Sequence, residues 1–352
     1  VPLQRSSCRE QLILPECGGG GDRRSQPSVV LIRGETPAQR MEPGFNVARI
    51  DSGEWAISAR GFNGRYANKL LVMIDGRSVY APMFSGTLWE AQDVLLEDIE
   101  RIEVIRGPGA STWGANAVNG VVNVITKQAG ATQGQLLAAV KGNEQSGAWT
   151  RHGGVAGDMQ YRVYAKYHDR EPFTEPDGGT NHDEWSGYRA GFRTDWSPND
   201  SDHFTFQGDI YEEDADDPLL RGFNLLGRWE HKGPAATDKL QLYYDRTVID
   251  ATNPGREQLH TLDLDYSRQP DAIGRHHLIF GAGYRWMHSA FVASDLAAIS
   301  SPNRELHLFS GFFQDEISLI PERLTLTLGT KLEHNDFTGL EMQPNARFSW
   351  LP

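Results

Sequence analysis

From Gln133 onward, apolar and polar side chains alternate with a period of two, segment after segment. Met159, Tyr161, Val163, Ala165 and Tyr167 interleave with Gln160, Arg162, Tyr164, Lys166 and His168. Tyr188, Ala190, Phe192 and Trp196 interleave with Arg189, Arg193 and Asp195. The pattern returns at Phe204/Phe206/Ile210, Leu240/Leu242/Tyr244, Leu262/Leu264/Tyr266, Leu278/Phe280/Ala282/Tyr284/Trp286, Leu324/Leu326/Leu328/Leu332 and Ala346/Phe348/Trp350. Successive side chains of a strand point to opposite faces, so each run reads as a strand with one apolar and one polar face. About twelve runs have the expected strand length, the faintest being 134–140 and 148–154. Two architectures satisfy such a pattern, a soluble β-sandwich and a membrane β-barrel.

The connections separate them. Tight ones at Ser197–Asp200, Gly233–Thr237, Gln269–Gly274 and Ile320–Glu322 alternate with longer polar ones at Asp169–Trp185, Glu212–Leu220, Ala290–Asn303 and Asn335–Glu341. Short turns at one end and long loops at the other are the habit of membrane barrels. Mean hydropathy is −0.50, and no stretch approaches the ~18 apolar residues of a membrane helix. That excludes a helical membrane protein but not a barrel, whose strands show lipid only every second residue. The formal charge of −13 argues against nucleic acid, since phosphate binding needs basic surface.

Before the alternating region, residues 58–126 have a different texture. Leu70–Ile74 is an apolar run of strand length, Asp75–Gly76 is a hairpin signal, and Val79–Tyr80 is a second short apolar piece. Ile99–Ile105 is stopped by Gly107–Pro108–Gly109, and Val121–Ile125 resumes a strand. The stretch Arg106–Thr112 is glycine-rich but lacks the Gly-Lys-Ser/Thr ending of a phosphate cradle. Neither His nor Cys occurs in this unit, so no nucleophilic triad can be assembled there. The reading is a small α/β unit built for binding, and no enzyme activity is expected.

Four of its pieces resemble one family in order and spacing: Arg60–Phe62, Leu71–Arg77, Ile102–Pro108 and Asn116–Thr126. They are similar to the plug domain of TonB-dependent outer-membrane receptors, and the region after them is similar to that family's barrel in pattern. The resemblance implies a plug at 44–130, preceded by an irregular segment at 1–43 and followed at 131–352 by part of an antiparallel transmembrane β-barrel, about twelve of an expected 22 strands. It implies a place in the bacterial outer membrane and energy-coupled import with TonB and the ExbB–ExbD complex. It also implies a scarce ligand, most commonly a ferric siderophore; cobalamin, other metal chelates and oligosaccharides stay open. From the residues themselves, a soluble β-rich binding or secreted enzyme domain also stays open.

Residues 1–43 match neither a secretory signal nor the family's opening pattern, and the expectation is a fragment or a misread start, with the barrel cut off near its middle. Cys8 and Cys17 lie in this segment, too few for a zinc pattern, and Val29–Ile32 is only faintly like a TonB-contacting box. No cofactor or metal site is assigned. His276 and His277 are adjacent and face opposite sides, while His203, His231, His260 and His288 fall on separate strands. Glu212–Asp217 packs five carboxylates into six residues without a calcium-loop glycine and reads as a solvated acidic loop. The resemblance places Arg60 and Arg106 against barrel carboxylates. Two loops are rich in groups that grip a ligand without doing chemistry: Asn63–Asn68, offering Arg65 and Tyr66, and Tyr80–Trp89, offering Tyr80, Phe84 and Trp89.

Overall fold

A computed structural model describes residues 9–13, 45–59, 61, 63–106, 119–142, 145–174, 179–215, 217–294 and 301–351. They form a small plug of short strands and 3₁₀ turns, with no α-helix among the described residues of the unit read from sequence as α/β, and a sheet of twelve long strands that follows it in the chain.

The plug is organised by strand β9 (Gly120–Thr126), which pairs antiparallel with β8 (Ile99–Arg106) and parallel with β4 (Leu70–Ile74). Apolar runs without alternation suit strands covered on both faces, and Leu70, Val72, Val122 and Val124 are all buried. Ile57 and Ala59 of β3 (Trp55–Ala59), itself paired with β2 (Phe45–Arg49), complete the core with Ile99 and Ile102. Asp75 and Gly76 turn the chain with positive φ at both residues, the two-residue hairpin expected from the pair. Its second arm is β5 (Arg77–Ser78), two residues earlier than the Val79–Tyr80 piece that the apolar pattern suggested. The turn fixes the register, not hydrophobicity. A further small hairpin joins β6 (Tyr80–Ala81) to β7 (Gly86–Thr87). Arg9–Ile13, inside the segment expected to be irregular, form strand β1 along the otherwise open edge of β8.

The wall strands are β10 (Gly134–Lys141), β11 (Gln145–Ala156), β12 (Met159–Arg170), β13 (Trp185–Trp196), β14 (Asp202–Asp214) and β15 (Leu219–Lys232). They continue as β16 (Ala236–Asp250), β17 (Gly255–Pro270), β18 (His276–Ala293), β19 (Asn303–Ile320), β20 (Leu324–Asn335) and β21 (Gly339–Trp350). Each pairs antiparallel with its sequence neighbour, giving a single meander of twelve strands. The four tight connections fall at one end, as expected. At the other end 171–184 and 294–302 are long, but 215–218 and 336–338 are short turns, so two expected long loops are absent. The acidic run explains the first of them. Glu212, Glu213 and Asp214 continue β14, because partners on both neighbouring strands extend the ladder through them.

The wall is inverted relative to a soluble sheet. Val163, Tyr188, Ile210, Leu242, Leu264, Phe313 and Leu332 are exposed, while Arg162, Arg189, Arg193, Asp195, Gln241, Asp263 and Glu333 on the opposite face are buried. Exposed aromatic rings flank the apolar band toward both ends, Tyr167 and Tyr188 facing each other near the loop end and Trp196 stacked on Phe204 near the turn end. In water such an arrangement would leave the apolar face uncovered; in a bilayer it is the stable one. The alternation that left two architectures open is thus resolved by which face is covered. The plug lies against the polar face.

Candidate functional site

The two loops expected to hold a ligand meet each other. Tyr66 and Phe84 stack with ring centroids 4.8 Å apart, and the Arg65 guanidinium stands 5.1 Å from the Tyr66 ring centre. Arg65 is shared by two plug carboxylates, Glu54 and, at 3.0 Å, Glu90. One guanidinium between two acids leaves Glu54 incompletely compensated. Burial, with Asp51 and Glu90 adding to it against the pull of Arg65, pushes its carboxyl up to about 7. Burial raises the Tyr66 phenol to about 12. Tyr80 is half-buried opposite Thr87. Trp89 opens a 3₁₀ turn and packs on the plug core, so its ring is committed to packing more than its neighbours are.

Tyr66 and Phe84 border an apolar cluster that joins plug residues Ala81, Leu88 and Ala91 to wall residues Trp185, Tyr211, Leu220 and Ile249. Trp185, Leu220 and Ile249 stand at the strand ends on the side of the wall where the long connections 171–184 and 294–302 emerge. The backbone of Ser52 is also tied to that end, accepting from Arg170 at 3.2 Å and donating to Asp183 at 2.8 Å. The Arg65–Tyr66–Phe84 group is therefore carried at the loop-bearing end of the wall.

Elsewhere the seam between plug and wall is polar. Asp75, beyond turning the hairpin, accepts 2.8 Å hydrogen bonds from the backbone N–H and the hydroxyl of Thr126 and from wall residue Gln207. Arg77 is buried and ion-paired with Asp245. Asp98 meets Arg151 and, at 3.4 Å, Arg162; Arg162 donates to the Lys127 carbonyl at 2.6 Å. Arg193 donates to the Thr126 hydroxyl at 2.9 Å, and Asp195 accepts the Ala129 N–H at 2.7 Å. Asp93 pairs with Lys166. Burial disfavours charge on Asp93, but Lys166 and His168 outweigh it and hold its carboxyl below the ordinary range.

Most of these pairs run from plug acids to wall bases, whereas the sequence reading expected plug arginines against wall acids. Arg60 lies outside the described residues, and so does the side chain of Arg106, whose backbone pairs with Gly120. Arg77 makes a contact of the kind expected of them. Asp75, Asp93 and Asp98 were missed as seam residues, because a turn or loop aspartate has no local mark of its partner. The one available signal was the inward set of wall residues, Arg162, Arg189 and Arg193, which demands acids or carbonyls opposite.

A strand-built plug with its own core, held by charges and hydrogen bonds against the polar face of a sheet whose outer face is apolar, defines the plug and part of the wall of a membrane β-barrel. Comparison with known proteins finds the same architecture. Residues 36–121 match the TonB-dependent receptor plug domain. The chain is 26% identical over 357 residues to the iron-regulated outer membrane virulence protein of Vibrio cholerae, covering 90% of this chain and 52% of that protein. It is 30% identical over 176 residues to the ferric enterobactin receptor of Pseudomonas aeruginosa, covering 41% of this chain and 23% of that protein. The crystal structure of the siderophore receptor PirA from Pseudomonas aeruginosa superposes with a TM-score of 0.72 at 18% identity, over 99% of this chain and 62% of that one. Residues 36–121 thus carry a TonB-dependent receptor plug domain, and the chain with its twelve described wall strands is similar over most of its length to TonB-dependent outer-membrane receptors. It spans about half the length of the Vibrio relative and less of the other.

Proposed function

We propose that the protein takes up a ferric siderophore across the outer membrane, driven by TonB with the ExbB–ExbD complex. The observation that carries this reading is the seam. Outside one apolar cluster, the plug meets the wall through ion pairs and hydrogen bonds such as Arg77–Asp245 and Arg193–Thr126. Water can replace such contacts one by one, so a pulled plug can shift without uncovering a large apolar surface. An importer needs a plug that is held and yet can be moved. The iron-linked names of the relatives support the choice of cargo.

The ligand floor in this reading is formed by Arg65, Tyr66, Tyr80, Phe84 and Trp89. Arg65 supplies the charge for an anionic chelate, the two tyrosines supply hydroxyls, and Phe84 supplies a flat apolar surface. Aromatic and arginine anchors dominate binding energy when held in a pocket. Trp89 contributes by supporting the floor from the core beneath. The test is the affinity of detergent-solubilised protein for ferric enterobactin, with cyanocobalamin as the neutral comparison, in Arg65→Ala, Tyr66→Ala, Phe84→Ala and Trp89→Ala. Loss of at least tenfold for the iron chelate in Arg65→Ala and Phe84→Ala is expected. Affinities within twofold of the parent in all four folded variants would remove these loops as the floor, and tight binding of cyanocobalamin alone would reassign the cargo.

A further inference from the structure

Three adjacent strands of the wall and one plug loop bring together a group that the transport reading does not use. His168 of β12 lies in register with Gly187 of β13, and Gly187 lies in register with Glu213 of β14. His168 and Glu213 are therefore two strands apart, and their side chains meet only because the position between them has none. A β-carbon on residue 187 would overlap Glu213 Oε2 and His168 Cε1. From the plug, Asp93 reaches the same point, and one ligand-capable atom from each of the three residues lies within 4.8 Å of the others.

The polar atoms here are incompletely satisfied. Glu213 is 1% exposed; its Oε2 accepts the Trp185 indole N–H at 3.0 Å, and its Oε1 has no hydrogen-bond partner. Asp93 gives Oδ2 to Lys166 and leaves Oδ1 without a partner. His168 Nε2 stands 3.1 Å from Glu213 Oε2 without hydrogen-bond alignment, and Nδ1 stands 4.0 Å from Asp93 Oδ2, too far for a hydrogen bond. Two ligand-capable atoms 3.1 Å apart are close to the spacing of neighbouring ligands around a small cation. Bonds of about 2.0–2.2 Å place tetrahedral ligands roughly 3.3–3.6 Å apart.

We propose that Asp93, His168 and Glu213 form a site for a divalent first-row cation, one imidazole and two carboxylates with solvent completing the shell, that clips the plug to the wall. An N,O₂ donor set without thiolate suits zinc and its neighbours better than a soft ion. Trp185 acts as the outer partner that orients Glu213, the kind of support metal-bound carboxylates receive. Lys166 is the built-in competitor, since its ammonium and the cation both draw on Asp93.

Zn(II) titration by calorimetry of chelator-washed, detergent-solubilised protein tests the site. Exposed histidines also bind zinc, so the site is read as the difference between parent and variants. The parent is expected to bind one equivalent more tightly, by at least tenfold, than His168→Ala, Glu213→Gln or Gly187→Ala. Lys166→Met is expected to tighten binding, and zinc is expected to raise the melting temperature of the parent but not of the three weakened variants. Melting curves without metal check that each variant folds, and Asp93→Asn carries the same readout from the plug side if a wall variant fails. Equal stoichiometry and affinity in the parent and all folded variants, or no tight equivalent in the parent, would overturn the site.

Discussion

The plug and the wall use the same amino acids in opposite senses. In the plug, Leu70, Val72 and Val122 are buried and make a core of the kind found in any water-soluble domain. In the wall, Leu242, Leu264 and Leu332 are the outer surface, and arginines, aspartates and glutamates are inside. A leucine thus reports which solvent its region faces, and the two solvents lie on opposite sides of a single sheet. The difference also determines how the regions join: both turn polar faces toward the seam, so their contact outside one apolar cluster is a set of ion pairs and hydrogen bonds.

The comparison can be broken at several points. The largest effect is expected at the seam. Arg77→Ala takes the cation from the half-buried Asp245 and leaves it only the Thr247 hydroxyl at 3.4 Å, at a cost of about 3–5 kcal/mol. Denaturant unfolding in detergent measures it, and the double variant with Asp245→Ala should recover most of the loss. A loss below about 1 kcal/mol in the single variant would mean the pair is solvated, in the range of exposed ion pairs.

The same truncation should then separate the two regions. Leu70→Ala in the plug core, where the side chain is 2% exposed, should cost about 2–5 kcal/mol. Leu264→Ala on the outer face, 42% exposed, opens no cavity and should cost less than half as much as the plug substitution. Equal losses in the two variants would show that the wall residue is packed against protein and not lipid. Leu264→Arg sharpens the point: near the bilayer centre it should cost about 2–4 kcal/mol, a penalty that shrinks toward the strand ends. Refolding into lipid vesicles checks this, and an arginine tolerated at mid-strand would place that face in water.

The smallest expected effect is a pH dependence confined to the plug. The Glu54 carboxyl is raised from about 4.5 to about 7 in the folded state. The folded protein therefore holds a proton there that the unfolded chain releases earlier. The stabilisation from this group is complete below about pH 4.5 and is lost as pH rises through about 7. Glu54→Gln should flatten that part of the stability profile while leaving the wall unaffected. An unchanged slope in the variant would assign the pH dependence to other groups.

Most of the fold is legible in the sequence because its two signals are local. Alternation needs only a strand's own residues, and the Asp75–Gly76 turn needs only two. Which side of the wall faces lipid is not legible from Val163 and Arg162 taken alone, because the pattern is the same whichever face is covered. The seam is the least legible part. Arg77 and Asp245 are 168 residues apart, and no spacing rule links them. The acidic run at 212–217 was misread for a similar reason: five charges look solvated until the ladder on both sides draws Glu213 inward. Gly187 shows the limit most plainly. Its lack of a side chain acquires meaning only once His168 and Glu213 are known to flank it.

The period-two texture of the wall has a further consequence, before any fold exists. A polypeptide bound for the outermost membrane of a cell must first pass through the inner one without lodging there. Translocation machinery retains segments by their continuous greasy length. Here most lipid-facing residues are followed by a polar one, and the chain's mean hydropathy is only −0.50. While extended, the polypeptide resembles cargo and not an anchor. Its affinity for lipid is hidden in the linear order and emerges only when hydrogen bonding between strands sorts the odd positions from the even ones. Assembly itself is thus the step that makes this protein a membrane protein.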